Sequence, residues 1–423
     1  MAGESFRFIH ASDLRLDQPL YGFTEVPDHL RDLALDAPFH AAERIMELAI
    51  VERVDFVVLS GDVVDPRTCG PRALAFLFEQ FTRLGERGIQ VYWAGGDVDS
   101  PANWPDEIAL PENVRMFASN DVQTFQHNRG DRPLASLVGR SGSGRVKASD
   151  FEADTSELCC IAVAHGTADV GELSKHRIDY WALGGDTRHQ VLATSPVAVE
   201  YSGSPQGRCP SESGIHGCLV VDVDADGDVH TQFVATDVIR WRYERLTLGQ
   251  GLTGQDLKRI LRDRMKNVAL EANDRPLLIS WSIDGQSENL ADQQRLSRDL
   301  LTWLRDEFGQ GTATAWTISL RIEPTSTFPP EWYEEDTILG DFLRVVRDYE
   351  RDSSPTLGLA APYAEHTELA SLVTDVQIAD PKVRAEVLRE AAIMGSELLR
   401  GDENALHDDL LATLSSEKQE VLS

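Results

Sequence analysis

The chain has 423 residues, 42% of them hydrophobic and 26% charged, ordinary values for a globular protein of about two to three domains. Lys plus Arg number 40 against 70 Asp plus Glu, a net charge of −30. This excludes a protein that coats nucleic acid with a generally basic surface and leaves room only for a local basic patch. No apolar run reaches the roughly 18 residues of a membrane span, so no membrane partner is expected. The start, MAGESFRFIHASDLRL, enters a charged strand directly and does not read as a signal peptide. Five Cys occur, an odd number with no Cys-x-x-Cys, so a reducing cytoplasm is expected rather than a disulfide framework.

In chain order, short apolar runs bounded by turn signals predict buried strands at Phe6–Ala11, Val54–Ser60, Gln90–Ala94, Leu158–Ala164, Tyr180–Leu183 and Val197–Tyr201. Helical patterns cover about Pro38–Glu52 and Pro71–Arg87, the latter with Pro at its first position. Alternating strands and helices predict an α/β layered fold. Cys218–Val223 and Val229–Thr236 read as a hairpin around an Asp/Gly turn. A second unit follows: a helix from Thr253, capped by Asp256, to about Leu270, a strand Pro276–Ile283, a helix about Leu290–Phe308 and a strand Thr314–Ile322. After a turn-rich link the chain reads as helical. A helix opens at Asp380-Pro381 and ends at Gly401, with Val383, Val387, Ala391, Met394 and Leu398 expected on one apolar face. The last 23 residues carry six acids and one Lys and read as a loose acidic helix or tail. The expected domains are 1–243, 244–325 and 326–423.

Acids and imidazoles follow the predicted strands, where α/β sheets bind ligands. The segments are HASDLRL (Asp13), LSGDVVD (Asp62, Asp65), AGGDVDSP (Asp97, Asp99), VAHGT (His165) and ALGGDTRH (Asp186, His189). One Asp after a strand is often only a turn or cap, but a carboxylate or imidazole at five successive strand ends is a pattern. Mixed carboxylate and imidazole donors suit a divalent cation such as Mn²⁺. Two cations about 3.5–4 Å apart would clamp the attacking and leaving oxygens of a phosphoester displacement.

With these residues in place, the chain resembles the calcineurin-like metallophosphoesterases, and within them the SbcD- and YhaO-like nuclease subunits of bacterial DNA double-strand-break repair. FRFIHASDLRLDQPL, DFVVLSGDVVD, VYWAGGDVDSP, VAHGT, IDYWALGGDTRHQ and YSGSPQGR with GCLVVDVD carry the likeness over about residues 5–240. The resemblance implies a two-sheet sandwich, a small α/β capping domain, and a helical C-terminal segment that docks a coiled-coil ATPase.

The departures from the family pattern matter as much. Where the family has Asp-x-His, this chain has Asp13 and Arg15. Gly61, Asp62 and Asp65 are intact, with Asp62 the implied bridge between two metals. The family's Gly-Asn-His-Asp reads Gly96, Asp97, Val98, Asp99, so the His implied in catalysis is Val98, and no catalytic residue is assigned. His165 is kept. The closing Gly-His-x-His reads Gly184, Gly185, Asp186, Thr187. Four implied His are therefore missing. The remnant metal set is Asp13, Asp62, Asp97 and His165. Arg15 places a permanent cation where a dication would sit and is expected to replace it. Three outcomes stay open: a two-metal site, a single-metal or rearranged site using Asp97, His165, Asp186 or His189, and an inert metal-free pocket, which the lost donors favour. At most one Mn²⁺ or other divalent cation is expected, and none held tightly.

Plainer roles are expected elsewhere. Asp65 and Asp99 read as turn or cap residues, His10 as a satisfied core histidine and His189 as a surface residue. Asp222, Asp224, Asp226 and Gly227 imitate a calcium loop, but the twelfth position is Phe233, so a hairpin turn is expected. Gly139–Arg145 is Gly-rich without the Lys of a phosphate loop and reads as a flexible, solvated connection, though the resemblance implies a loop near the substrate where Arg140 and Arg145 could meet phosphate. Lys258, Arg259, Arg262, Arg264 and Lys266 form the most basic stretch; the resemblance, whose capping domain helps contact DNA, implies a nucleic-acid surface there, while the charge run alone favours a solvated helix face. The expected function is a non-catalytic subunit related to repair exonucleases that partners a coiled-coil ATPase, with DNA and a second copy of the chain as further possible partners. The alternative is an active phosphodiesterase or nuclease with a His-poor metal site.

Overall fold

A computed structural model describes residues 4–400 except 24, 106, 152–157, 175–177, 248–252, 274, 286–289, 311–313, 325–327, 329 and 352–380. The expected acidic tail, 401–423, lies outside the described residues.

The fold is α/β, built on two facing six-stranded sheets, as the resemblance implies. The first runs β14-β13-β1-β2-β3-β4 and the second β11-β12-β10-β8-β6-β5. In the first, β1 (Phe6–Ala11), β2 (Phe56–Leu59), β3 (Gln90–Trp93) and β4 (Val114–Met116) are parallel, and β1 is flanked by the antiparallel hairpin β13 (Gly217–Val223) and β14 (Val229–Ala235). In the second, β6 (Arg132–Gly139), β8 (Cys159–His165), β10 (Tyr180–Gly184) and β12 (Ala198–Tyr201) are parallel, with β5 (Gln123–Arg129) and β11 (Gln190–Ala193) antiparallel at the edges. A two-stranded pair joins β7 (Arg145–Val146) to β9 (Thr167–Ala168), and a one-turn helix α3 (Val170–Leu173) follows.

The core explains the layering. Between the sheets lie Phe8, Phe56, Val58, Leu137, Ile161, Tyr180 and Leu219, with Phe8 stacked on Phe56 at 4.9 Å. The other face of the first sheet is covered by α1 (Asp28–Val51) and α2 (Pro71–Gly85) through Ile45, Met46, Leu77 and Phe81. Strands buried on both faces need continuous apolar runs, which is why FVVL and QVYW read so plainly. His10 is the expected satisfied core histidine: Nδ1 meets Tyr180 Oη at 2.8 Å and Nε2 meets Ser60 Oγ at 2.9 Å. Burial drives its pKa down to about 3.

Two expectations need correction. The first helix starts at Asp28, ten residues before the expected Pro38, which lies inside it. A proline there removes one helical hydrogen bond, but Leu30, Ala34, Ala37 and Ala41 bury against Val238, Ile239 and Trp241, and that packing carries the helix through. In the last helix the expected apolar line is displaced: Leu388, Ala392 and Ser396 are buried while Ala391 and Leu398 are exposed. The side chains of Val383 and Met394 lie outside what is described.

By internal contacts the chain divides into two units. One is Met1–Glu244 with Arg262–Ser280 and Leu304–Ser319, and the other is Arg245–Leu261, Trp281–Trp303 and Leu320–Ser423. Beyond the sandwich come β15 (Arg240–Thr247), α4 (Gly254–Ala272), β16 (Leu277–Gly285), α5 (Leu290–Phe308) and β17 (Ala315–Pro324), the strands forming a sheet in the order β15-β16-β17. Thr253 and Asp256 form the expected reciprocal cap of α4: the Asp256 N–H donates to Thr253 Oγ1 and the Thr253 N–H to Asp256 Oδ2. Helices α6 (Ile338–Arg351) and α7 (Pro381–Arg400) pack on each other through Leu343, Val346, Leu388 and Ala392.

Candidate metal centre

The loops after β1, β2, β3, β8 and β10 converge on one pocket. Asp13 and Asp62 have φ of 53° and 55°, and Arg15 has 43°. Left-handed backbone costs an ordinary residue about 1–2 kcal/mol, and it persists where surrounding bonds over-determine it. Here they do. The Asp13 N–H donates to the Gly61 carbonyl at 2.9 Å and the Arg15 N–H to the Asp62 carbonyl at 3.0 Å. The Asp62 N–H donates to Asp99 Oδ1 at 3.0 Å.

Asp99 is the hub beneath the site. It also accepts the Val63 N–H at 2.8 Å, the Gly96 N–H at 2.6 Å and Trp93 Nε1–H at 2.9 Å. This is the cap role expected of it, extended to two strand ends. Burial raises its pKa to about 6 against the pull of the backbone donors, so at neutral pH it is the carboxylate that the N–H groups require.

The carboxylates of Asp13 and Asp62 and the imidazole of His165 place one ligand atom each within 4.8 Å of one another, all buried. Asp62 Oδ1 accepts the Asp97 N–H at 2.8 Å and the Val98 N–H at 3.2 Å. Asp62 Oδ2 accepts Arg15 Nη2–H at 2.6 Å and lies 3.8 Å from His165 Nε2. Asp13 Oδ2 accepts the Gly185 N–H at 3.0 Å, while buried Oδ1 accepts no hydrogen bond and lies 3.7 Å from Arg15 Nη2. Burial raises the Asp13 pKa, opposed by His165 and by the Gly185 N–H. His165 Nδ1 lies 2.9 Å from the Ser60 carbonyl, which can only accept, so Nδ1 carries a proton and the ring presents Nε2 to the carboxylates. The backbones approach closely here: a Cβ on Gly96 would lie 2.5 Å from Asp62 Oδ1.

Asp13, Asp62, Arg15 and His165 thus come together as a set. Asp97 does not join them: its N–H holds Asp62, but its side chain is exposed. Asp65 caps its own turn and pairs with Arg67 at 3.0 Å. Asp186 accepts from the Arg188 N–H and from Gln190 Nε2. His189 is more packed than a surface residue, stacked on Phe233 at 4.7 Å and 3.4 Å from buried Glu200. Asp224 accepts the Asp226 and Asp228 N–H groups, the expected hairpin turn. Beside His165 a cavity of about 200 Å³ is lined by Ser119, Ser143, Arg140 and Arg145. Arg140 pairs with Asp150 at 2.9 Å and Arg145 with Glu172 at 3.1 Å. Sequence reasoning did not see the Ser60 carbonyl or the Gly185 N–H, because main-chain groups leave no mark in residue identity.

No family model matches the chain. Over 250 residues, 55% of its length, it is 33% identical to a protein of Bacillus subtilis (strain 168) named as an uncharacterized metallophosphoesterase, YhaO. The likeness supports a metallophosphoesterase family. The chain spans 61% of that relative's length. The two-sheet sandwich agrees with it, and no described helix is long and apolar enough to cross a membrane.

The donor set fits one divalent cation: the unbonded Asp13 Oδ1, an Asp62 oxygen and the His165 Nε2 lone pair. It does not fit two. Val98 and Gly185 offer no side-chain donor, the Thr187 carbonyl accepts the Ser204 N–H, and Asp97 is turned away.

The basic stretch of α4 is answered by neighbours. Arg259 pairs with Asp256 at 3.2 Å, Arg262 with Glu307 at 2.6 Å, Arg264 with Glu244 at 2.7 Å and Lys266 with Asp263 at 3.8 Å. Lys258 sits over the Trp303 ring at 5.3 Å.

Proposed function

We propose that the chain is a metallophosphoesterase-like subunit, related to the DNA repair exonucleases, that does not hydrolyse phosphoesters and serves as scaffold or partner of a coiled-coil ATPase. One observation carries the reading. Among the described residues three metal-capable groups converge, and a guanidinium stands 2.6 Å from the carboxylate that would bridge two metals. In-line displacement by two metals needs donors on both ions, and Val98 cannot transfer the proton that general acid catalysis requires. A bound cation would supply Lewis acidity. The chain itself supplies a fixed His165 tautomer, two oriented carboxylates and a positive charge at Arg15. The test is hydrolysis of bis(p-nitrophenyl) phosphate and of linear duplex DNA with Mn²⁺. The expected result is no turnover above an Asp62→Ala control. Mn²⁺-dependent turnover that disappears in Asp62→Ala establishes instead the second reading, an active phosphodiesterase with a His-poor site, which the unbonded Asp13 Oδ1 and the free face of His165 favour.

For organisation we keep three segments, 1–243, 244–325 and 326–423. The third is the docking segment: Ile338, Val345, Leu398 and Leu399 on α6 and α7 are large, apolar and exposed. Capture of a coiled-coil ATPase by the full chain, and its loss on Leu398→Asp with Leu399→Asp, tests this. DNA, where bound, would use Lys258, Arg259, Arg262, Arg264 and Lys266 by displacing their acidic partners, giving weak, steeply salt-dependent binding. Self-association as a homodimer is the remaining partner reading, tested by sedimentation. The five free cysteines support a cytoplasmic setting.

A further inference from the structure

The pocket contains a mismatch that its bonding pattern makes visible. Arg15 Nη2 is 2.6 Å from Asp62 Oδ2 and 3.7 Å from Asp13 Oδ1. The same Oδ2 is 3.8 Å from His165 Nε2. The guanidinium tip therefore approaches the donor atoms that a single cation would use. Yet it leaves them incompletely served. Asp13 Oδ1 accepts no hydrogen bond, and Arg15 Nε, also buried, donates none. Asp13 Oδ1 thus faces, at 3.7 Å, a guanidinium that does not satisfy it, and His165 Nε2 lies 3.8 Å from the Asp62 oxygen that Arg15 holds.

Mobility is divided unequally among these groups. The two carboxylates have no exposed side-chain surface, whereas the Arg15 side chain is 26% exposed. Asp62 is further held through Oδ1 by two backbone N–H groups, and Asp13 through Oδ2 by one. Arg15 is thus the member of the set that can leave, and water will take its charge. The balance of charge also favours exchange. A dication brings one more positive charge than Arg15 to the same two carboxyl groups.

We propose that Arg15 and a divalent cation are alternative occupants of the Asp13–Asp62 pair, so that Arg15 is an internal lock on a single-cation site. The inference rests on the single-cation, non-hydrolytic reading above and deepens it. Cation occupancy becomes a regulated state of the pocket, set by whether Arg15 is docked or withdrawn. Anything that draws the guanidinium outward opens the site without touching its ligands.

The test is Mn²⁺ binding, with no substrate present, to chelator-treated full-length protein, its Arg15→Gln and Arg15→His variants, and Asp62→Asn. Calorimetry gives the affinity, and thermal melts with and without Mn²⁺ give a second readout. The expected result is Mn²⁺ binding at least tenfold tighter in Arg15→Gln than in the unaltered chain, tighter still in Arg15→His, and lost when Asp62→Asn is added. If either variant folds poorly, Mn²⁺ should restore its melt while leaving that of the unaltered chain nearly unmoved. Equal affinity with and without Arg15 overturns the lock, as does a variant that stays unfolded or unbound in saturating Mn²⁺. The hydrolysis assay is independent. Turnover by the unaltered chain sinks the non-catalytic reading and leaves the lock to the affinity ratio. An unchanged ratio sinks the lock and leaves the non-catalytic reading in place.

Discussion

Arginine answers carboxylate in two regions of this molecule, with opposite consequences. In the strand-end pocket, Arg15 meets two carboxylates that have no exposed surface. Along α4, Arg259 and Arg262 meet Asp256 and Glu307 with both partners of each pair open to solvent. The distances are alike, 2.6 Å for both Arg15–Asp62 and Arg262–Glu307. The surroundings are not. Water screens the exposed pairs, so they contribute little. In the pocket water cannot stand in for a positive partner, so whichever cation meets the carboxylates decides what the site can hold. Contact distance alone therefore says nothing of importance, and burial sets it.

The largest effect that would break this comparison is on stability. Arg15→Ala strands two buried carboxylates and should cost about 3–5 kcal/mol in urea unfolding at pH 7. A loss below about 1 kcal/mol would make the pocket pair no different from a surface pair. Next comes acid sensitivity in the sheet interior, where burial acts without a counter-ion. The His10 pKa is lowered to about 3 in the fold from 6.5. The fold thus favours the neutral ring. Its contribution is whole above about pH 6.5 and drains away as pH falls toward 3, amounting to about 3 kcal/mol lost at pH 4.5. Urea unfolding of the unaltered chain and His10→Gln at pH 7 and 4.5 should differ by that amount in their pH response. Equal responses would show the ring is not held neutral.

Asp99→Asn sharpens the buried half further. An amide cannot accept from Gly96 and Asp62 on one side and from Val63 and Trp93 on the other. The expected loss is about 2 kcal/mol, with weaker Mn²⁺ binding because Asp62 loses its footing. A variant as stable as the parent would remove Asp99 from the role of hub. The smallest effect belongs to α4. Arg262→Ala should leave the urea midpoint within the scatter of repeat melts, and a clear shift would show that this pair matters more than its exposure allows.

Much of this was legible in the sequence, and the limits are physical. The sandwich was readable because strands covered on both faces must be apolar throughout, and because Asp13, Asp62 and His165 each follow one directly. Arg15 was readable as a cation at a ligand position because the resemblance puts a His there, while its reach to Asp62 shows only in the structure. Asp97 was not, since spacing names the loop but not the rotation of the side chain about it. Its N–H faces Asp62 while its carboxylate faces water. The start of α1 was hidden because Pro38 signals a beginning locally, while the residues that extend the helix to Asp28 find their partners, Val238 to Trp241, some two hundred positions away. The acidic partners of the basic face of α4, Glu244 and Glu307, were not legible there because they lie outside the helix.

Gly185 has a consequence for any attempt to enrich this pocket in imidazole. Its φ is +100°, its N–H is committed to Asp13, and a Cβ there would stand 3.3 Å from His165 Nε2. An imidazole placed at 185 would start from strained backbone and crowd His165. A second ligand cannot therefore be added at this position by side chain alone; the loop would have to be re-formed first to carry it.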